Sequence, residues 1–474
     1  MKHRLQFNAV RLYFIILFLA ASSAAFAQFQ FVEHNITTNF MRAACVYATD
    51  IDGDGDIDVI GASRGTAGIR WWENDGNENF TEHIIDPDYL EANSVYAIDV
   101  DGDGDTDVIG AALAMDYICW WENDGNENFT RHILKDNMLK PVTVYAVDLD
   151  RDNDIDILGG DKSSDSLYWW ENNGNRTFTE HVISRAFEEI FNIYADDIDR
   201  DGDMDVLAGS EGGSVSIMWW ENDGKENFTS HVVSSTSGSV TSVQTADIDG
   251  DGDVDILGVS FDQADVSWWK NDGNNNFTEI KIDDNFFGAG AVYPTDLDDD
   301  GDMDVLGAAY SSNTIALWEN DGNGVFTKHA VSDTFKGAWY VYATDMDGDR
   351  DLDVLGAGYA GNKIAWWENT TLTAVEDIPV VVPSVLSLSA APNPFGARTT
   401  IRYELPRATK VTLFVINVLG QRVNVIEQSF QSAGFHTARW NGRDEQGRLL
   451  ANGMYICLVQ AGAYSRSVKL MLIR

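Results

Sequence analysis

The sequence predicts an all-β fold, a closed ring of seven four-stranded sheets followed by a small sandwich, and three observations carry that prediction. An aspartate-rich run recurs seven times along the 474 residues, beginning at Asp50, Asp99, Asp148, Asp197, Asp247, Asp296 and Asp345, at spacings of 49 or 50 residues. A second marker keeps step with it: Trp71-Trp72-Glu73-Asn74, then pairs starting at Trp120, Trp169, Trp219, Trp268, Leu317 and Trp366. The third, Phe80-Thr81-Glu82-His83, recurs from Phe129, Phe178, Phe228, Phe277 and Phe326 but is missing after Trp366. Its absent copy stands at the other end, Phe31-Val32-Glu33-His34, 49 residues before Phe80 and in register with the rest. A linear array has no reason to split one repeat between its ends. A ring does, because the N-terminal strand completes the last sheet and removes an open edge. Four strands repeated with this period make a seven-bladed β-propeller closed by an N-terminal strand.

Each unit reads as four short strands, in the first copy Val46–Thr49, Asp58–Ala62, Ile69–Glu73 and Phe80–Ile85. Between the third and fourth, Asn74-Asp75-Gly76-Asn77 is a tight-hairpin signal. Adjacent strand residues face opposite sides of a sheet, so one Trp of each pair is expected to meet the next blade and the other the previous one. A stacked sugar at a blade junction is the second reading of these rings, and it requires one of them to be exposed.

Charge divides the chain into three pieces. The whole carries 76 acidic and 32 basic side chains, a net charge of −44. Residues 28–383 hold 72 of the acids and only 18 of the bases. Such a surface is repelled by phosphate backbones and anionic lipid, which argues against nucleic-acid and membrane-surface partners. Residues 1–27 place Lys2, Arg4 and Arg11 before an apolar run, Leu12 to Ala21, and end in Ala25-Phe26-Ala27. That order reads as a cleaved secretory signal, with Gln28 beginning the mature chain. The run is too short to span a bilayer and no other stretch qualifies, so no transmembrane segment is expected in the mature chain. Cys45, Cys119 and Cys457 are too few and scattered for a disulfide framework or a thiolate metal site.

The aspartate runs have the chemistry of calcium loops. In the first, Asp50, Asp52, Asp54, Asp56 and Asp58 alternate with other residues, and Gly55 stands at position 6. Carboxylates at positions 1, 3, 5 and 9, with a backbone carbonyl at 7, form a hard-oxygen cage for Ca²⁺. Position 12 is Gly61 and not the bidentate Glu of a helix-flanked loop, so the loop joins two strands. The same candidate ligands are Asp99, Asp101, Asp103, Asp105 and Asp107; Asp148, Asp150, Asp152, Asp154 and Asp156; and Asp197, Asp199, Asp201, Asp203 and Asp205. The last three loops supply Asp247, Asp249, Asp251, Asp253 and Asp255; Asp296, Asp298, Asp300, Asp302 and Asp304; and Asp345, Asp347, Asp349, Asp351 and Asp353. Up to seven ions are expected, one per blade. Asn153 replaces the position-6 glycine in the third loop and Arg350 in the seventh, which makes the seventh the weakest expected site.

With these residues in hand, the Asp-x-Asp-Gly-Asp-Gly-Asp-x-Asp loops followed by Val-Ile-Gly-Ala resemble the FG-GAP/VCBS repeats of integrin-type propellers, over about residues 29–371. The resemblance implies Ca²⁺ ligation between the first two strands of each blade. It also implies a range of roles, from adhesion and protein contacts to carbohydrate binding.

Six histidines, His34, His83, His132, His181, His231 and His329, share one repeat position on an outer strand. Spread around a circumference, they cannot converge on one ion, and a structural role is expected. Asn79, Asn128, Asn227 and Asn276 open Asn-Phe-Thr sequons, read here as hairpin chemistry. Symmetry is broken by Gln244 in place of Tyr, Lys270 for Glu, Ile280 for His, Leu317 for Trp, and the additional Trp339. No nucleophile–base pair or carboxylate couple stands apart from the loops, so no enzyme is expected. A polysaccharide-degrading enzyme or its accessory subunit stays as the third reading, behind adhesion and glycan binding.

Five of the eight prolines fall between Pro379 and Pro406, marking a linker over 372–384 and a new domain over 385–474. Alternating runs at Thr399–Glu404, Lys410–Val418, Phe435–Trp440, Met454–Gln460 and Ser467–Ile473 predict an immunoglobulin-like β-sandwich. Pro392-Asn393-Pro394-Phe395, Leu419-Gly420-Gln421 and Asn452-Gly453-Met454-Tyr455 resemble the C-terminal sorting domain of the type IX secretion system. That resemblance implies the secretion machinery as a partner, passage across an outer membrane, and a cell-surface or secreted location. An extracellular protein or glycan is then the expected ligand.

Overall fold

The computed structural model describes residues 29–473 apart from 66–67, 236–237, 372–385, 397, 406–408, 420, 432–433, 445–447 and 462–463. The expected signal, 1–27, and the linker, 372–384, lie outside the described residues. Two compact units divide between Thr373 and Ala374.

The first unit opens with β1 (Phe31–Thr37), followed by β2 (Ala43–Thr49), β3 (Asp58–Ser63), β4 (Ile69–Asn74) and β5 (Phe80–Asp86). Strands β2 to β5 form one antiparallel sheet in chain order. Five more four-stranded sheets repeat this order over 92–135, 141–184, 190–234, 240–283 and 289–332. The seventh combines Ala338–Thr344, Asp353–Gly358 and Lys363–Asn369 with β1 as its outermost strand. The register runs from Phe31 opposite Asn369 to Thr37 opposite Ile364, so the split repeat is joined as expected. Two bonds fix the junction: Thr370 N–H donates to the Gln30 carbonyl (2.8 Å), and Gln30 N–H donates to Thr371 Oγ1 (3.0 Å). The innermost strands contact one another in chain order, and the last, Ala338–Thr344, contacts β2 again. The sheets therefore close on themselves in a propeller-like arrangement.

Burial follows the strand sequences. Asp-Val-Ile-Gly-Ala-Ser in β3 is buried throughout, because neighbouring sheets cover both of its faces. The outer β5 is mostly half-buried or exposed, with Thr81, Glu82 and Ile84 in solvent and Asp86 alone buried. Trp71 packs in one core with Trp121 of the following sheet, and Trp72 in another with Trp366 of the preceding one. All thirteen rings of the repeated marker are 6% exposed or less. None of these rings has the exposure that a stacked sugar requires. Gly61 shows how closely the sheets approach: a Cβ there would lie 3.0 Å from Trp72, Phe40 and Ile364 side chains at once.

The second unit pairs a three-stranded sheet (Ser387–Ala391, Thr399–Leu405, Gly434–Trp440) with a four-stranded one. The latter orders Arg422–Gln431, Thr409–Ile416, Gly453–Ala461 and Tyr464–Leu472. Ile401, Tyr403, Val411, Leu413, Trp440 and Leu470 meet in the core. Two of these strands, Ser387–Ala391 and Arg422–Gln431, escaped the sequence reading. One is short, and the other, Arg-Val-Asn-Val-Ile-Glu-Gln-Ser-Phe-Gln, is broken by irregular pairing that disturbs its alternation.

Candidate metal centres

Each aspartate run turns the chain from the innermost strand into the next, and its carboxylates first organise its own backbone. In the first loop Asp50 accepts the N–H groups of Gly53 (2.8 Å) and Gly55 (3.1 Å). Asp52 accepts from Asp54 N–H (3.1 Å), and Asp54 from Asp56 N–H (3.0 Å). Asp58 is fully buried; one oxygen takes Ile51 N–H (2.9 Å) and the other Asn74 N–H (2.8 Å), which welds the loop to the hairpin. Position 6 needs positive φ, 103° at Gly55, and Asn153 (76°) and Arg350 (90°) adopt it without being glycine. In six sheets the position-7 carboxylate faces the hairpin glycine of its own sheet, as Asp56 faces Gly76, and leaves no room for a Cβ there.

The expected ligands converge in part. Oxygens of Asp50, Asp52 and Asp58 lie within 4.8 Å of one another, as do those of Asp99, Asp101, Asp107, of Asp148, Asp150, Asp156, and of Asp197, Asp199, Asp205. Positions 1, 3 and 9 form these groups; positions 5 and 7 are not among their members. Burial raises the position-9 acids to about 7 at Asp58, Asp107, Asp156, Asp205 and Asp304, to about 6 at Asp255 and about 8 at Asp353. One buried oxygen each of Asp148, Asp247, Asp298 and Asp351 has no hydrogen-bond partner. Converging, buried, unpartnered carboxylate oxygens suit a hard divalent cation such as Ca²⁺.

These raised acids fix a pH dependence. The folded chain holds protons that the unfolded chain, with ordinary acids, releases between about pH 4 and 7, so metal-free stability falls as pH rises through that window. In chelator the melting temperature is expected to be higher at pH 5 than at pH 8. Saturating calcium, which needs ionised carboxylates, should reverse that order. Melting curves at both pH values check this, and a metal-free chain more stable at pH 8 would contradict it.

Two fastenings escaped the sequence reading. The Asn after each Trp-Trp-Glu ties neighbouring loops together: Nδ2 of Asn123, Asn172 and Asn320 donates to the carbonyls of Ile51 (3.2 Å), Val100 (2.8 Å) and Ile248 (2.7 Å) in the preceding sheet's loop. Asn74 reaches back to Met346 (3.5 Å) and joins the first sheet to the last, whereas among the described residues Asn271 Nδ2 donates only to Val254 of its own sheet. The histidines pair with the Glu of the same marker, His83 with Glu73 and His181 with Glu171 at 2.8 Å, while stacking on Trp71 and Trp169. The constant spacing of ten residues between these Glu and His positions was the available signal. The sequon asparagines Asn79, Asn128, Asn227 and Asn276 bond the carboxylates of Asp75, Asp124, Asp223 and Asp272, as turn chemistry requires. Cys45, Cys119 and Cys457 are buried free thiols.

A cavity of about 200 Å³ runs between the innermost strands. Tyr47, Tyr96, Tyr145 and Tyr194 follow one another around it at centroid distances of 4.7–5.1 Å, and Tyr293 and Tyr342 complete the series back to Tyr47. Gln244 fills the gap. Trp339 also lines this cavity, with Phe191, Phe261, Tyr310 and Tyr359 within 6.0–6.3 Å and the Arg64 guanidinium 5.5 Å from its ring centre. Two of the symmetry-breaking residues thus share one channel.

Sheets closed into a ring, each bearing an aspartate loop at one end, define a repeat protein of the propeller-like class. The model of the FG-GAP-like repeat matches residues 50–110, 99–159, 148–208, 197–258 and 296–356, more than half of the chain, and the chain belongs to that family. The FlgD Ig-like domain matches residues 394–465. No curated protein matches the chain. Among solved structures, BBS1N in complex with ARL6DN, soaked with lead, is 10% identical with a TM-score of 0.51, covering 72% of this chain and 97% of that one. The mercury-soaked form gives 9% and 0.51 with the same coverage. PorZ, an essential bacterial surface component of the type-IX secretion system of Porphyromonas gingivalis, is 13% identical with a TM-score of 0.47, covering 88% and 58%. Among the described residues no helix is long and apolar enough to cross a membrane.

Proposed function

We propose that this chain is a secreted or cell-surface, calcium-stabilised seven-bladed propeller that acts as an adhesion module binding an extracellular protein. The observation that carries the reading lies at the end of the strands opposite the aspartate loops. There, one repeat position holds Met41, Leu90, Leu139 and Phe287, which are 47%, 45%, 62% and 57% exposed. The other three copies are Glu188, Gly238 and Lys336, so three successive blades, with Phe287 apart from them, display apolar side chains at one end of the ring, which suits a protein surface. The loops at the other end hold Ca²⁺ and serve stability, the seventh most weakly because Arg350 brings a cation and a left-handed backbone to it. No catalytic role is assigned. The C-terminal sandwich serves as a type IX sorting domain, a reading supported by its ordered sequence motifs and by the leader read at the other end.

Half-buried Trp339 and its aromatic neighbours favour a second reading, calcium-dependent glycan binding at the channel mouth. One experiment separates the two: the purified chain on arrays of matrix proteins and glycans, in calcium and in chelator, beside an M41S/L90S/L139S variant. Protein binding that falls at least tenfold in the variant, with its melting temperature unchanged, is expected. Binding to a sugar alone, untouched by the triple substitution, overturns the adhesion reading in favour of the second.

A further inference from the structure

We infer that the fifth aspartate loop is closed by the chain's own ammonium group, Lys270 standing where the other loops would take a divalent ion. The inference rests on the calcium reading above and concerns the fifth blade; in the second loop Arg176, from the next blade's hairpin, also meets Asp101 and Asp103, but there the marker Glu122 is kept and Asp99 retains both backbone bonds. Lys270 occupies the position held by Glu in the other six copies of the marker. Its Nζ pairs with Asp249 and lies 3.1 Å from Asp251, the third and fifth positions of the loop. The Asp249 side chain is only 12% exposed, so the ammonium reaches into the group that would ligate a metal.

Two independent features agree with that placement. In six sheets a Glu of this marker pairs with the outer-strand His; in the fifth, Lys270 and Ile280 replace both partners, which frees the side chain at this position to turn toward the loop. The first-position carboxylate is also held differently. Asp50 and Asp99 each accept two backbone N–H groups, and Asp148, Asp197, Asp296 and Asp345 at least one. Among the described residues Asp247 is the one first-position aspartate that takes none, and its buried Oδ1 has no partner. The rest of the fifth loop keeps its wrap, with Gly252 at φ 97° and Asp253 N–H on Asp251 (3.0 Å), so the difference is confined to the first-position carboxylate. The family matches skip residues 259–295, the stretch that contains both substitutions.

The test counts bound calcium per chain, by equilibrium dialysis and elemental analysis at millimolar calcium. Wild type is compared with Lys270→Ala and with the double variant K270E/I280H, which restores the pair used elsewhere. Each variant is expected to bind one more ion than wild type, and melting curves in chelator report that both remain folded. Equal counts in all three chains overturn the inference. A wild-type chain that binds no calcium overturns the calcium reading as well, so the two failures are distinguishable.

Discussion

Chelation of calcium is expected to lower the melting temperature of the repeat unit by about 12 °C. Extracellular calcium modules bind with dissociation constants of roughly 10⁻⁴–10⁻³ M. At about ten times that concentration, each occupied loop adds about 1.4 kcal/mol. Summed over the loops free to bind, this reaches roughly 8 kcal/mol. Unfolding entropy of about 2.1 cal/mol/K per residue gives a unit of this size about 0.7 kcal/mol/K, which converts the sum to about 12 °C. The effect is large because loops are linked: Asn123, Asn172 and Asn320 hang their blades from the carbonyl of the loop before. Loosening one loop therefore loosens its neighbour's support. Calorimetry with and without chelator measures the shift. A chain whose transition is unmoved by chelator would sink the calcium reading and leave the buried acids to be satisfied by protons alone.

Most of the fold was legible because it repeats. A pattern seen once is weak; seen seven times in register it specifies strand count, hairpins and the closing of the ring by the Phe31 segment. The Trp pairs were readable for the same reason, since alternation along a strand dictates opposite faces. The cross-links were harder. The bond from Asn74 to Met346 joins residues 272 positions apart, and sequence spacing carries no trace of it without the ring. Position 9 was read as a ligand, yet Asp58 spends both oxygens on backbone N–H groups as well, a role invisible until β3 and β4 are brought side by side. In the sandwich, where nothing repeats, Arg422–Gln431 was missed outright. Trp339 and Gln244 were visible as departures, but that both line one cavity is a fact of three dimensions.

The second large effect concerns closure, and it tests the ring more directly than any point substitution. Deleting residues 29–37 strips β1 from Lys363–Asn369 and removes the His34–Glu368 bond (2.9 Å) and the stack of His34 on Trp366. It also uncovers Ile36 and Phe31 contacts with the adjacent cores. A ladder of this length contributes about 5 kcal/mol net at roughly 1 kcal/mol per bond, worth about 7 °C in a unit of this size. The loss does not end there, because the bared edge is a template for pairing with another chain. The truncated protein is expected to melt at least 7 °C lower and to associate, read by light scattering. Rescue decides the cause. In the first sheet Asn74 and Phe80 are joined through Asp75-Gly76-Asn77-Glu78-Asn79, and the last sheet sets Asn369 opposite Phe31 in the same register. Placing a copy of 75–79 and then 31–37 directly after Asn369, in the truncated chain, supplies the missing strand as an ordinary hairpin. In a closed ring the strand's position in sequence is immaterial, so this permuted chain should recover the wild-type melting temperature to within a few degrees and stay monodisperse. If it remains low and sticky, β1 acts through something other than the edge of the last sheet, and closure by the split repeat is wrong.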